Sequence, residues 1–224
     1  MCGIAGIFHL ETAKPVAEPR VRAMLDAMAH RGPDGSGVWT APGVGFGHQR
    51  LSVIDPAGGA QPMVTDDGQI IVTLDGAICN FAEIRAELEA KGHRFATRSD
   101  SEVILHAWRQ WGEGCVEHFI GEFAFALHDR RTQSLWLVRD RLGVKPLHYT
   151  TLSDGSLVFA SELKGLLAHP LVRREPNLTA VEDYLAYGYV PDDTSIVRGV
   201  SKLGAGEALL AVRGRPLSGR SRYW

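Results

Sequence analysis

The spacing of apolar residues changes several times along this chain, and each change predicts an element. Cys2 to Phe8 (CGIAGIF) is short and apolar with two glycines, which predicts a buried strand starting at the very terminus. Val21, Met24, Leu25 and Met28 recur at helical spacing, so an amphipathic helix is expected over residues 19–29. Arg31-Gly32-Pro33-Asp34-Gly35 stops it, because Pro and Gly punctuate and Asp favours a turn. Strands are expected at 44–54 and at 69–74, where Ile70, Ile71 and Val72 are β-branched.

Two helices follow. Phe81, Ile84 and Leu88 make one face of the first, and Gly92 stands where a C-cap glycine belongs. Ser99 or Asp100 can cap the second, whose buried face is Val103, Ile104, Ala107, Trp108 and Trp111. Phe123, Phe125 and Leu127 alternate in a half-buried strand over 122–128, and the polar turn Asp129 to Gln133 joins it to Leu135–Val138 as a hairpin. A second hairpin turns at Ser153-Asp154-Gly155 and returns through Leu157-Val158-Phe159. Helices are expected at 161–168 and 179–187, and a last strand at 207–212. Strands thus cluster in hairpins between helix pairs, which predicts an α+β fold with antiparallel sheets rather than alternating βα units.

Composition narrows the function classes. With 24 basic and 26 acidic side chains among 224 residues, the formal charge of −2 offers no strong pull toward nucleic acid or anionic membrane. No apolar run approaches the ~18 residues that span a bilayer. Met1 is followed by Cys2-Gly3-Ile4 with no basic stretch before an apolar core, so no secretory signal is expected. Three cysteines (Cys2, Cys79 and Cys115) have neither CxxC spacing nor an even count, which argues against a disulfide framework or a zinc-thiolate site and fits a reducing cytoplasm. The nine histidines show no metal-ligand spacing, and no Gly-rich phosphate loop occurs, so neither metal nor nucleotide cofactor is expected in this chain.

Cys2 is the one unusual placement. If Met1 is removed, thiol and α-amine share one residue. An α-amine titrates near about 7.7 to 8.0 and so can take the thiol proton directly or through water. Such a site needs no separate histidine. The competing reading is a small buried apolar residue.

From Cys2 through Trp224 the chain resembles the N-terminal glutaminase domain of the asparagine synthetase family, the class II glutamine amidotransferases with an N-terminal nucleophile. The stretches that carry this are MCGIAGIF, HRGPDG, GHQRLSVID, NFAEIRAEL, SDSEVILHAW, GEFAFALHD, RDRLGVKPL, FASELK and YLAYGYVP. Phosphoribosyl-pyrophosphate and glucosamine-phosphate amidotransferases share the Cys start, but GHQRLSVID with RDRLGVKPL is more similar to the asparagine synthetase branch. The resemblance implies a four-layer αββα sandwich of two antiparallel sheets over residues 1–212, with 213–224 starting a linker toward an absent synthetase domain. ATP, Mg and the Ser-Gly-Gly-x-Asp-Ser loop would belong to that other domain or subunit. Glutamine would be this chain's substrate, ammonia would pass to the synthetase, and a homodimer is possible in such an assembly.

By the same resemblance Cys2 matches the nucleophile that forms a glutamyl thioester. Arg50 matches the grip on the glutamine α-carboxylate, a role that suits a bidentate guanidinium. Leu51 and Val53 match positions whose backbone lines the pocket, or they are plain strand core. Asp100 matches the carboxylate that receives the α-amine, and it can also serve the helix end. Gly76 matches an oxyanion-hole backbone N–H, and Arg31 to Gly35 resembles the loop closing over the site.

The family's Asn-Gly-Glu-Ile-Tyr-Asn reads here Asp75-Gly76-Ala77-Ile78-Cys79-Asn80, a departure at Asp75, Ala77 and Cys79, of which the first two bear on the chemistry. An ionised Asp75 can only accept hydrogen bonds, and losing one oxyanion donor costs roughly 10²- to 10³-fold in rate. A negative charge about 4 Å from the oxyanion would add about 4 kcal/mol at an effective dielectric near ~20. Ala77 removes a second carboxylate. The alternative reading is therefore an impaired, glutaminase-like docking module. Cys79 and Cys115 read as structural thiols, Trp108 and Trp111 as helix packing, and Arg139, Asp140, Arg141 and Lys145 as a structural ion-pair turn after a strand rather than a phosphate site.

Overall fold

A computed structural model describes residues 1–191, 193–217 and 219–224. Among the described residues, two six-stranded antiparallel sheets carry the fold. The first contains β1 (Gly3–His9), β2 (Gly35–Ala41), β3 (Val44–Arg50), β8 (His148–Thr151), β9 (Ser156–Ala160) and β10 (Ser201–Lys202), in the order β10-β8-β9-β1-β3-β2. The second contains β4 (Met63–Val64), β5 (Ile70–Ile78), β6 (Gly121–Asp129), β7 (Ser134–Arg139), β11 (Glu207–Val212) and β12 (Ser221–Arg222), in the order β12-β11-β7-β6-β5-β4. Helices α1 (Glu18–Asp26) and α4 (Leu163–Leu167) cover the outer face of the first sheet; α2 (Phe81–Ala90) and α3 (Asp100–Trp111) cover that of the second. A further helix, α5, spans Leu178–Tyr187. The result is a four-layer αββα sandwich.

Residue size explains how the layers close. On β6, Phe123, Phe125 and Leu127 face α3, while Ala124 and Ala126 face the other sheet with Ile4, Phe8, Phe46 and Phe159. Small residues on one strand leave room for aromatic rings from the other. The half-buried strand expected at 122–128 is in fact buried on both faces, because helices cover one side and a sheet the other. Each fully buried Phe or Leu in these layers contributes about 1.5–3 kcal/mol.

Three boundaries differ from the sequence pattern, and all three bear on the site. The strand expected over 44–54 ends at Arg50, where the chain leaves the sheet as a loop. The strand expected over 69–74 continues to Ile78, held in register with Phe123, Glu122 and Gly121 opposite Gly76, Ala77 and Ile78. The turn at Gly35 opens β2, whose glycines mask a full edge-strand register with β3. The 129–133 and 153–155 turns lie where the pattern puts them; the helices do so too, except that α1 stops at Asp26 and α4 shortens to Leu163–Leu167. Ser99 is the N-cap of α3, its Oγ accepting from Ser101 N–H at 3.2 Å.

Candidate active site

At one end of the sandwich four segments converge: the start of β1, the end of β3, the end of β5 and the N-terminus of α3. Pairing of Gly3 with Gln49 brings Cys2 level with the last residues of β3. There the Cys2 Sγ accepts from Leu51 N–H at 3.4 Å and donates to Leu51 C=O at 3.7 Å. Beside it opens a cavity of about 210 Å³ lined by Met1, Cys2, Arg50, Leu51, Val53, Ile54, Gly59, Gln61, Gly76, Ala77, Ser99, Asp100, Glu122 and Lys145. All six residues singled out in the sequence (Cys2, Arg50, Leu51, Val53, Gly76 and Asp100) therefore face one space.

Each is held by an identifiable contact. Burial raises the Cys2 thiol pKa; the Leu51 N–H opposes this and the Asp75 charge adds a smaller upward push. Arg50 donates from Nη1 to Pro56 C=O at 2.9 Å and from Nη2 to Asp55 C=O at 2.7 Å, so it folds the 54–59 loop over the cavity. Its five donors leave N–H groups for a carboxylate. Asp100 is buried at the first turn of α3, and its Oδ2 accepts from Ile78 N–H at 3.0 Å. Burial raises its pKa, with that N–H opposing. Gly76 has φ +123°, and a Cβ there would lie 2.0 Å from Glu122 C=O, so only glycine lets β5 present this backbone to the cavity.

Asp75 does not line the cavity. Alternation along β5 turns it with Ile71 and Thr73 toward the layer between the sheets, where it is fully buried. Its Oδ2 lies 2.6 Å from Arg31 Nη2 and accepts from Ser161 Oγ at 3.0 Å, while its Oδ1 has no partner among the described residues. Burial raises its pKa and Arg31 opposes the rise. The bare negative charge expected to confront an oxyanion is instead paired with a guanidinium. Two residues back, Thr73 meets buried His48, whose Nδ1 is 3.2 Å from Thr73 Oγ1 and whose pKa burial pushes down to about 3.

Sequence reasoning missed the part that Arg31, Ser161, Glu162 and Glu122 play. Arg31 is the buried hub, and the glycine after it is the only readable signal: a Cβ at Gly32 would lie 2.3 Å from the Gln49 backbone. Glu122 lies directly across from Ala77 in the β5–β6 register and pairs with Lys145 at 3.2 Å. The 139–145 turn, expected to be held by ion pairs, is held instead by bonds from its charged side chains to backbone groups. Asp140 accepts from the N–H groups of Leu142, Val144 and Lys145, and Arg139 donates to the carbonyls of Gly143, Lys145 and Leu203. Trp108 donates to Asp129 at 2.9 Å and Trp111 stacks on His118. Among the described residues, no group of three or more His, Cys, Asp or Glu could hold a metal ion, and no helix is long and apolar enough to cross a membrane.

The fold is shared with the allosteric regulatory enzyme of purine biosynthesis (TM-score 0.71, 18% identity), over all of this chain and 49% of that one. It is shared too with the glutamine phosphoribosylpyrophosphate amidotransferase from B. subtilis (TM-score 0.66, 19% identity), again over all of this chain and 49% of the other. The family described as a glutamine amidotransferase domain matches residues 1–224, and the chain belongs to it. Similar curated proteins include asparagine synthetase (glutamine-hydrolysing) 3 of Bacillus subtilis, 39% identical over 93% of this chain and 34% of that protein. Asparagine synthetase (glutamine-hydrolysing) 2 of the same organism is 42% identical over 79% of this chain and 24% of its own length. A putative asparagine synthetase (glutamine-hydrolysing) 2 of Methanocaldococcus jannaschii is 34% identical over 94% and 44%. The chain thus spans a quarter to under a half of these relatives.

Proposed function

We propose that this domain hydrolyses glutamine to glutamate and ammonia through a thioester on Cys2. One observation carries the reading. A thiol, a guanidinium with free donors and a buried carboxylate face the same cavity, which together describe a nucleophile and the two charged groups of an amino-acid head. Arg50 receives the α-carboxylate and Asp100 the α-ammonium, leaving the side-chain amide at Cys2. With Met1 removed, the Cys2 α-amine takes the thiol proton as Sγ bonds to the amide carbon. The carbonyl oxygen becomes an oxyanion that the Gly76 N–H supports. Collapse breaks the C–N bond, the α-amine returns its proton to the leaving nitrogen as ammonia, and water then cleaves the thioester to glutamate. Leu51 and Val53 wall the pocket.

The similarity to glutamine-hydrolysing asparagine synthetases supports an onward step in which an ATP- and Mg-dependent synthetase domain or partner uses the ammonia to amidate aspartate or a similar carboxylate. That assembly, homodimeric or not, works in the cytoplasm on this reading, without nucleic acid or membrane. Glutamate release by the Met1-processed chain against Cys2→Ala tests the hydrolysis; equal rates overturn it.

Asp75 and Ala77 favour a second reading, a glutaminase-like module that docks on an ammonia-using synthetase. On that reading Cys2 resists a thiol-directed glutamine analogue, and Asp75→Asn with Ala77→Glu switches hydrolysis on. Labelling of the unaltered chain at Cys2 excludes it.

A further inference from the structure

We propose that Asp75 is a positioning residue for Cys2, acting through the Arg31 guanidinium and the Ser161 hydroxyl to pin the start of β1 to the opposite sheet. The proposal rests on the reading of Cys2 as nucleophile and deepens it. Arg31 spreads its donors in three directions: Nε to Cys2 C=O at 2.6 Å, Nη2 to Asp75 at 2.6 Å, and Nη1 to Glu162 at 2.9 Å. A guanidinium is planar and rigid, so fixing two of its corners fixes the third. Glu162 is a poor anchor, because it is part-exposed and shared with His30 and Lys164. Asp75 is fully buried on β5 and cannot swing away.

Asp75 reaches β1 at a second point. Ser161 Oγ donates to Asp75 Oδ2 at 3.0 Å and accepts from Ile4 N–H at 3.0 Å, two residues beyond the nucleophile. One carboxylate oxygen on the second sheet thereby sets both the Cys2 carbonyl and the Ile4 amide on the first. Removing a partner from a buried charge pair leaves the other charge uncompensated, so Arg31 would reorient and release the Cys2 carbonyl. The geometry assigns the Asp75 carboxylate to this layer rather than to the cavity, where it would act on the reacting carbonyl directly.

The experiment uses the full Met1-processed chain as Asp75→Ala, Asp75→Asn, Arg31→Met and the Asp75→Ala/Arg31→Met double variant. The rate of Cys2 labelling by a thiol-directed glutamine analogue is resolved into a limiting rate and a half-saturating concentration. Misplacement of the thiol predicts a limiting rate roughly ten- to a hundredfold lower in Asp75→Ala and in Arg31→Met. Half-saturation stays unchanged, because Arg50 and Asp100 still hold the head group, and the double variant is no slower than either single. Asp75→Asn keeps an oxygen that accepts from Arg31 and Ser161, and so retains most of the rate. A limiting rate in Asp75→Asn well above the unaltered chain, or effects that multiply in the double variant, overturns the proposal. Thermal melting confirms folding; if Asp75→Ala does not fold, Asp75→Ser paired with Arg31→Met runs the same cycle. If the unaltered chain reacts with iodoacetamide at Cys2 but neither with the analogue nor with glutamine, the glutamine reading fails by itself. The iodoacetamide pH profiles then decide the positioning. The change made by Asp75→Ala should vanish in the Arg31→Met background, and a change of equal size in both backgrounds overturns it.

Discussion

The Cys2 thiol rests against the peptide groups of Leu51, accepting from the N–H at 3.4 Å and facing the carbonyl at 3.7 Å. The residue just before β1 is thus held by the first residue of the loop leaving β3. The thiol is partly buried, and its pKa is raised by that burial. The reactivity of this thiol is therefore tied to the position of the loop that follows β3.

In the chain that retains Met1, alkylation with iodoacetamide should modify the three cysteines in a fixed order. Cys79 is exposed and reacts first, whereas Cys2 carries a raised pKa and reacts more slowly, with a rate still climbing above pH 9. Cys115 is buried with its pKa raised further by burial, and reacts only on unfolding. Mass spectrometry of digested samples over a pH series reads the order; Cys2 modified ahead of Cys79 at neutral pH would contradict it.

Arg50→Lys keeps the charge but not the fork. It loses the bonds to the Asp55 and Pro56 carbonyls that fold the loop over the cavity. Amide hydrogen exchange across residues 51–61 should speed up, and the KM for glutamine should rise by about tenfold or more, as expected for a charged hydrogen-bonding group worth about 1.5–3 kcal/mol. Unchanged exchange in the loop would show that the clamp is not what orders it.

Gly76→Ala should destabilise the fold as well as the site. The φ of +123° is closed to an L side chain, and the added methyl would meet the Glu122 carbonyl. A loss of at least about 1–3 kcal/mol in denaturant unfolding is expected, since overpacking and backbone strain act together. A variant of native stability would refute the packing argument.

The pH dependence of stability should carry a signature of Asp100. Its folded pKa is raised by burial, so the acid form is favoured in the native state. The stability it contributes is complete below the unfolded carboxylate value of about 3.9 and is lost as pH rises through the raised value. Asp100→Asn cannot titrate. The unfolding free energy of the unaltered chain minus that of Asp100→Asn should fall as pH is raised from about 3.5 across that window and then level off. A flat difference from pH 3.5 to 7 would sink the assignment.

Much of the fold was legible because its signals are local. Val21, Met24, Leu25 and Met28 mark α1 by spacing, the Ser99 cap marks where α3 starts, and Gly92 and Gly155 occupy the positive-φ turns that their neighbours imply. The candidate site residues were legible through short stretches whose members lie on four different elements, and the structure brings all six to one cavity. The end of β3 was not legible. Leu51, Val53 and Ile54 read as strand by their apolar side chains, yet the Arg50 guanidinium and the Asp55 carboxylate, which accepts from Gly58 and Arg98 N–H, bind this segment into a loop.

The sequence by itself determined the α+β class and the antiparallel hairpins, because periodicity and caps are written in neighbouring positions. The four layers and the choice of Cys2, Arg50, Leu51, Val53, Gly76 and Asp100 as the residues to watch came from the resemblance its short motifs carry. Only the tertiary structure decided the meaning of Asp75. Its register on β5 turns the side chain between the sheets, and its partners Arg31 and Ser161 come from segments 44 and 86 residues away. An ion pair across such distances leaves no local pattern. Strand alternation and sheet packing set which charge a buried carboxylate meets, and here it meets the guanidinium that holds the Cys2 carbonyl.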